Sequence, residues 1–271
     1  MPASSSRKTP KQIPPPPPRQ VRPRLPSRGR GVARYAALVD ATEALLTQRS
    51  ADDMGLYQIA ERAKVPPASV YHFFPTKEAA FLALAQRYLE GFSSLTRRPL
   101  GMDALSGWQS LLAFDLRQAM DYFTLHPPAL KLLLGGYGGE ETARANREYN
   151  ERSAREALER FNAAFHLPFL RNVETKFHIM LQIIDAVLTI SYLKHGAITE
   201  EFYQEALHAS VAYCRLFLPE RLELREVHRA ALACGDQVVL VPQGSADSEV
   251  KPEAVVKAGV SSRNRKSSLK K

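Results

Sequence analysis

Only three residues, Lys64-Val65-Pro66, separate two short stretches of helical character, and so little chain permits nothing but a tight corner. On the upstream side, Leu56 to Ala63 puts Ile59, Ala60 and Ala63 on one inner face. On the downstream side, Pro66 and Pro67 can open a helix, where a missing N–H costs nothing. That helix should stop near Phe74, ahead of Pro75, because proline disfavours helical backbone in the residue before it. Thr76 then reads as an N-cap, with Glu78 in the first turn favoured by the helix dipole. A longer helix is predicted from Lys77 to about Ser94. Ahead of the pair, Leu38, Val39, Ala41, Leu45 and Leu46 recur at helical spacing and end at the turn-like Ser50-Ala51-Asp52-Asp53. Two short helices about a three-residue corner make a helix-turn-helix.

The second short helix crowds Tyr71, His72, Phe73 and Phe74 into one turn. Such a run could be plain core, with the Tyr71 hydroxyl satisfied inside. The alternative is that Val70 and Phe74 face inward, against Ile59, Ala60 and Leu46, while Tyr71 and His72 face out. A helix of that kind fits the major groove of DNA. The small residues Pro67, Ala68 and Ser69 would let its start approach base edges and thymine methyls. Tyr71 and His72 carry polar tips that can reach phosphates or bases. Lys77, at the start of the next helix, could bind a phosphate with its ammonium and backbone N–H together.

The distribution of charge supports a polyanionic partner. The net charge is +9, and residues 1–34 alone hold nine Lys or Arg and no acid. The rest of the chain is balanced, so the excess is an N-terminal arm attracted to polyanions. The arm is rich in proline, including Pro14 to Pro18, and is expected to be extended or disordered over residues 1–33. Its end, Arg28-Gly29-Arg30, resembles the Arg-Gly-Arg centre of an AT-hook, which lies flat in a narrow minor groove. The arm lacks an apolar core, so it does not read as a secretory signal. Two cysteines, Cys214 and Cys234, have no metal-ligand spacing and suit a reducing cytoplasm. No uninterrupted apolar run reaches the roughly 18–20 residues of a membrane span; Phe177 to Leu193 is broken by His178, Gln182 and Asp185.

Beyond Ser94 the expected class is all-α. Helices are predicted over about Ala104 to Leu125, a short one to Leu134, Glu140 to Phe165, Asn172 to His195, Thr199 to Leu218, and a short one within 219–234. Residues 235–271 read as a disordered basic tail. The last long helix has two apolar stripes: Phe202, Ala206, Ala209, Tyr213 and Phe217, then Tyr203, Leu207, Ser210, Cys214 and Leu218. A helix apolar on two sides must be covered on two sides, which suggests a four-helix seam between two copies. A two-fold dimer would read a palindrome-like site with half-sites about 34–36 Å apart. His178, Gln182, Asp185 and Thr189 form one polar stripe. It could set register at the seam or with a neighbouring helix, or line a ligand cavity with Trp108, Phe114, Tyr122, Phe123 and Tyr137 as its apolar wall. No metal-ligand set or cofactor motif stands out.

Residues 34–81 resemble the N-terminal domain of the tetracycline-repressor (TetR) family of bacterial transcription regulators. The likeness rests on "RYAALVDATEALL", "LYQIAERAKV" and "ASVYHFFPTKEAAF", in particular Ile59-Ala60, Val70-Tyr71, Phe74 and Thr76-Lys77-Glu78. It implies a DNA-binding domain over 34–80 and an effector-binding and dimerisation domain over 81–234. It implies a homodimer on double-stranded DNA, with operator binding relieved by an unknown small molecule that moves the helix Lys77–Ser94. Departures are Lys64 for the usual corner glycine, Pro66 for a small polar residue and Gly55 for a Ser or Thr. Lys64 and the arm, with Arg28 and Arg30, would replace the phosphate contacts so lost. Tyr57 is expected near the DNA backbone. The resemblance implies no enzymatic activity and no cofactor, and a cytoplasmic, nucleoid-associated protein. Ser-His-Asp, Gly-rich phosphate-loop, CxxC and HExxH patterns are absent. The rival reading is an architectural protein that binds any duplex without an effector, with steep salt dependence.

Overall fold

The computed structural model describes residues 22–95 and 97–240. Among them are eleven helices: α1 (Arg30–Gln48), α2 (Leu56–Ala63), α3 (Pro67–Phe73), α4 (Lys77–Leu95), α5 (Met102–Leu105), α6 (Trp108–Leu125), α7 (Pro127–Leu133), α8 (Gly139–Ala164), α9 (Val173–His195), α10 (Glu200–Cys214) and α11 (Glu226–Ala233). The only extended pairings among the described residues are two isolated bridges, Leu100 with Val238 and Phe165 with Leu224. The all-α expectation holds.

The first four helices form a head. Leu38, Leu46, Ile59, Val70 and Phe74 are fully buried there, so the predicted inner faces of α1, α2 and α3 meet. Phe73, which the pattern left unassigned, is also inside, edge-on to Tyr35. Lys64 caps α2 in the left-handed region (φ 54°), and the Val65 N–H returns to the Ala60 carbonyl at 3.1 Å. That closure normally falls to glycine, because a Cβ is strained there. Thr76 caps α4 as expected, accepting from the Ala79 N–H at 3.3 Å. Gly55 has no side chain to cap α2, and Gln58 instead reaches back to accept the Gly55 N–H at 2.6 Å.

The structure corrects several expected boundaries. Helical pairing begins at Gly29, whose carbonyl accepts from Val32 at 3.0 Å, so Arg30 to Ala33 belong to α1 rather than to an unstructured arm. Residues 22–29 are fastened too: the Arg24 N–H donates to the Phe73 carbonyl at 2.8 Å, and Arg22 pairs with Glu141 at 3.5 Å. Residues 1–21, the bulk of the expected arm, lie outside the described residues. At the other end, Val238 exchanges both backbone hydrogen bonds with Leu100, at 2.7 and 2.8 Å, and Val238 and Leu240 are buried. Residues 235–240 are therefore part of the fold, because two apolar side chains fill a gap that short-range pattern cannot reveal; the rest of the expected tail lies outside the described residues. The helix expected from Ala104 is two helices, since Gly107 is fully extended and the Trp108 indole N–H is held by the Pro219 carbonyl at 2.9 Å.

Helix α4 runs through the expected boundary at residue 80 without a break. Its first half, Ala79 to Ala85, packs in the head, and its second half, Tyr88 to Leu95, extends the same core toward Phe123 and Leu130. A second core, built on Trp108, Phe161, Phe165, Phe177 and Leu218, lies among α6, α8, α9 and α10. Over an 18-residue window, α9 is long and apolar enough to cross a membrane (mean hydropathy 1.3), although no uninterrupted run suggested it. One side of α9 is covered by α8 and α10 through Phe177, Met180, Ile184 and Leu188. The other leaves Ile179, Ile190 and Leu193 exposed.

Candidate nucleic-acid interface and internal cavity

The corner sets the presentation of α3. Because Val70 and Phe74 are completely buried, the residues between and before them have to point away. Tyr71 is 55% exposed, and Pro67, Ala68 and His72 are exposed with it, while Ser69 is half-buried. The His72 ring leans edge-on against Phe73, 4.9 Å between centroids. Tyr57, in the first turn of α2, is 65% exposed, and Lys64 stands exposed at the corner. Helix α3 contains no acidic residue. These side chains offer hydroxyl, imidazole and ammonium groups to a phosphate or a base edge, with the exposed Glu61 of α2 the nearest acid in sequence to the Lys64 corner.

Three expected contacts look different in three dimensions. The Lys77 ammonium donates to the Ala51 carbonyl at 3.2 Å and is partly buried, so it ties α4 to the α1–α2 turn instead of standing free for a phosphate. Arg28 and Arg30 are exposed, but Gly29 between them has φ 49° and Arg30 is helical, so they do not form the extended pair that a minor-groove motif needs.

A cavity of about 180 Å³ lies beneath the head. Its walls come from α4 (Leu89, Phe92, Leu95), α6 (Leu112, Asp115, Leu116), the α7 end (Leu133, Leu134), α8 (Tyr149, Asn150, Arg160) and α9 (Met180, Ile184, Asp185, Leu188), among others. Of the residues expected to line such a cavity, Asp185 and Phe123 do so. Trp108 is fully buried elsewhere, bonded to Pro219. Tyr122 packs at a tilt against Phe92 (4.4 Å between centroids) and His126 and does not line the cavity. Tyr137 is on the surface. His178 and Gln182 pair with each other at 3.3 Å outside the cavity. The polar stripe is the edge of the buried face of α9, not its centre, which is the row Met180, Ile184 and Leu188. Only Asp185 has a partner, Asn150 on α8, that draws it in.

The cavity holds two polar pairs. Arg160, 2% exposed, donates twice from Nε and Nη2 to the Asp115 carboxylate at 2.9 to 3.2 Å. Burial pushes the Asp115 carboxyl up, with Arg160 opposing it. Asn150 donates to the Asp185 Oδ2 at 2.5 Å. Burial raises Asp185 to about 6, offset only by that hydrogen bond. Some of the Asp185 surface faces the empty space of the cavity, yet protein surrounds it deeply enough to withhold bulk solvation. Among the described residues no group of three or more His, Cys, Asp or Glu could hold a metal.

The cavity and the head share hardware that sequence reading missed. Glu43 on α1 accepts from Arg87 at 2.5 Å and from the Tyr88 hydroxyl at 2.7 Å, both on α4, and lies 3.3 Å from the His126 Nδ1. The Lys131 ammonium on α7 donates to the Leu46 and Arg49 carbonyls at 2.5 and 3.3 Å, at the C-terminal end of α1. A cation is favoured at that end by the helix dipole. Nothing in the local sequence of α1 or α7 points to a partner some eighty residues away.

Residues 38–84 match the model of the family described as bacterial regulatory proteins, tetR family. No curated protein sequence matches the chain. Among solved structures, a TetR-family transcriptional regulator from Streptomyces coelicolor is similar at 22% identity and TM-score 0.52, covering 68% of this chain and 99% of its own. SmeT, the repressor of the Stenotrophomonas maltophilia multidrug efflux pump SmeDEF, is similar at 14% identity and TM-score 0.51, covering 69% and 91%. At these identities the likeness is one of fold.

Proposed function

We propose that the chain is a DNA-binding transcriptional regulator of the tetR family, a homodimeric repressor whose hold on a palindrome-like operator is relieved by a small molecule; the match of residues 38–84 to the family model supports this. The observation that carries this reading is the solvent-facing placement of Tyr71 and His72 on a seven-residue helix locked from behind by Val70 and Phe74. Tyr57, Lys64, Pro67, Ala68, Ser69, Tyr71 and His72 meet the duplex, the first two at phosphates and the rest at base edges. The exposed apolar side of α9, with Leu216 just beyond α10, forms the seam with a second copy. Two α3 helices then lie about one DNA turn, ~34–36 Å, apart.

Relief follows from the shared walls. Leu89, Phe92 and Leu95 of α4 line the cavity, while Ala79 to Ala85 of the same helix hold the head. Helix α7 lines the cavity with Leu133 and grips α1 with Lys131. A molecule entering between α4 and α8 shifts α4 and α7 together, and with them the separation of the two heads. A coupling of about 1–3 kcal/mol suffices to weaken operator binding by one to two orders of magnitude.

Selection of bound duplexes from a random pool tests the reading. The full chain should yield a palindromic consensus, and Tyr71→Ala or His72→Ala should relax specific positions while leaving the fold intact. Recovery of arbitrary sequence, with binding set only by salt, would instead establish the architectural alternative.

A further inference from the structure

Resting on the reading of the cavity as an effector site, we propose that its ligand is a lipophilic monocation, an aromatic or alkyl ammonium compound whose charged nitrogen sits against Asp185. Most of the cavity wall is apolar: Ile184 and Leu188 are close to Asp185 along α9, and Phe92 and Phe123 line the same space, with Gln118, Asn146 and Ser153 as its uncharged polar members besides Asn150. Its one protein partner is the Asn150 amide, which donates to Oδ2; among the described residues no donor meets Oδ1. The other charges at the cavity cancel internally. Arg160 is consumed by its two-point contact with Asp115, and Glu156 faces Arg152 at 3.8 Å on α8. One negative charge, that of Asp185, is left without a counter-charge. Buried charges persist in proteins when paired, and a cation entering the cavity supplies the missing pair.

Other ligand classes fit less well. An anion meets the Asp185 charge and finds no free cation, since the guanidinium of Arg160 is closed off by Asp115. A metal ion finds one carboxylate and an amide, not a ligand set. A small hydrated cation leaves the leucine and phenylalanine walls unfilled. A cation with an apolar body satisfies both features: its rings or chains cover the wall, and the faces of Phe92, Phe123 and Tyr149 attract the charge as it enters. Phe92 and Phe123 stand edge-on at 4.9 Å, and Tyr149 is 6.3 Å from Phe92, forming one aromatic side to the space.

The test uses shape-matched probes on the full chain: benzyltrimethylammonium, its uncharged carbon isostere neopentylbenzene, and the anion phenylacetate. Calorimetric titration should show the cation binding at least tenfold more tightly than the isostere, with phenylacetate weakest. In Asp185→Asn the ratio of cation to isostere should fall to about one, with binding of the isostere retained. Equal affinities for the two isosteres in the unsubstituted protein overturn the proposal. So does a preference that survives Asp185→Asn, or no binding of either probe. Should Asp185→Asn misfold, the isostere ratio in the unsubstituted protein decides alone. Operator release, measured in parallel by fluorescence anisotropy, separates the two layers. A cation that binds through Asp185 but leaves the operator complex untouched refutes the relief mechanism and keeps the ligand class. Release by uncharged or anionic compounds alone does the reverse.

Discussion

Replacing Asp185 with asparagine should make the free protein more stable, and only above a defined pH. The carboxyl rises from 3.8 to about 6 on folding, with burial the main cause and the Asn150 hydrogen bond opposing it. Well below pH 3.8 both folded and unfolded chains hold the proton, and Asp185 has no effect on stability. Between pH 4 and 6 the unfolded chain has released its proton while the folded chain keeps it. The folded state binds more protons there, so stability falls as pH rises. Above pH 6 the loss is complete, at about 3 kcal/mol for a rise of this size. An asparagine side chain can still accept from Asn150 and never ionises. Asp185→Asn should therefore lead the parent by well under ~1 kcal/mol at pH 4, gain through pH 5 and 6, and lead by about 3 kcal/mol at pH 7.5. For a chain of this size that is a rise in Tm of about 6–12 °C. Asp115, Arg160, Glu156 and Tyr149 border the same cavity, but they are present in both proteins and largely cancel in the difference. The assay is urea unfolding of both proteins at equal chain concentration, since association adds its own mass-action term. A gap that stays constant from pH 4 to 7.5, or a less stable variant at pH 7.5, would refute the account of Asp185 as a buried, uncompensated charge.

Three further outcomes are expected. Lys64→Gly removes a Cβ from a left-handed corner (φ 54°), and should raise stability by about 0.5–1 kcal/mol while weakening DNA binding through the lost ammonium; a lower urea midpoint would contradict the strain argument. Gly91→Ala puts a Cβ 2.8 Å from the Tyr122 Cζ, on a ring already wedged among Phe92, Tyr88 and His126. Thermal melts should show a loss of about 1–3 kcal/mol that largely disappears when Tyr122→Ala is added to the same chain. Arg160→Met strands the Asp115 carboxylate in the interior and should cost about 3–5 kcal/mol, most of it recovered by the double change Arg160→Met with Asp115→Leu; equal losses in the single and double variants would show that the pair is not what matters.

What the amino-acid order determined by itself is mostly local. The proline pair after a three-residue corner, the Thr76 cap and the alternation of Val70 and Phe74 with polar neighbours each act within a few residues. Their consequences, a seven-residue α3 with Tyr71 and His72 outside, depend on little else. The same logic placed the long helices, because a 3.6-residue repeat of apolar side chains belongs to each helix separately. Tertiary structure decided the partners. Lys77 has the position of a phosphate ligand in sequence, yet the Ala51 carbonyl lies within its reach. Trp108, Tyr122 and Tyr137 have the composition of a cavity wall, and packing gave that place instead to Phe92, Tyr149 and Phe161. Helix α8 carries many charged residues, but Asn150 and Arg160 turn inward because acids on α9 and α6 wait there. Asp185 alone bridges the two levels. Its stripe was visible from spacing, but whether an acid in an apolar helix is a surface charge or an unpaired interior one depends on which helices close around it, and no periodicity along one helix carries that information.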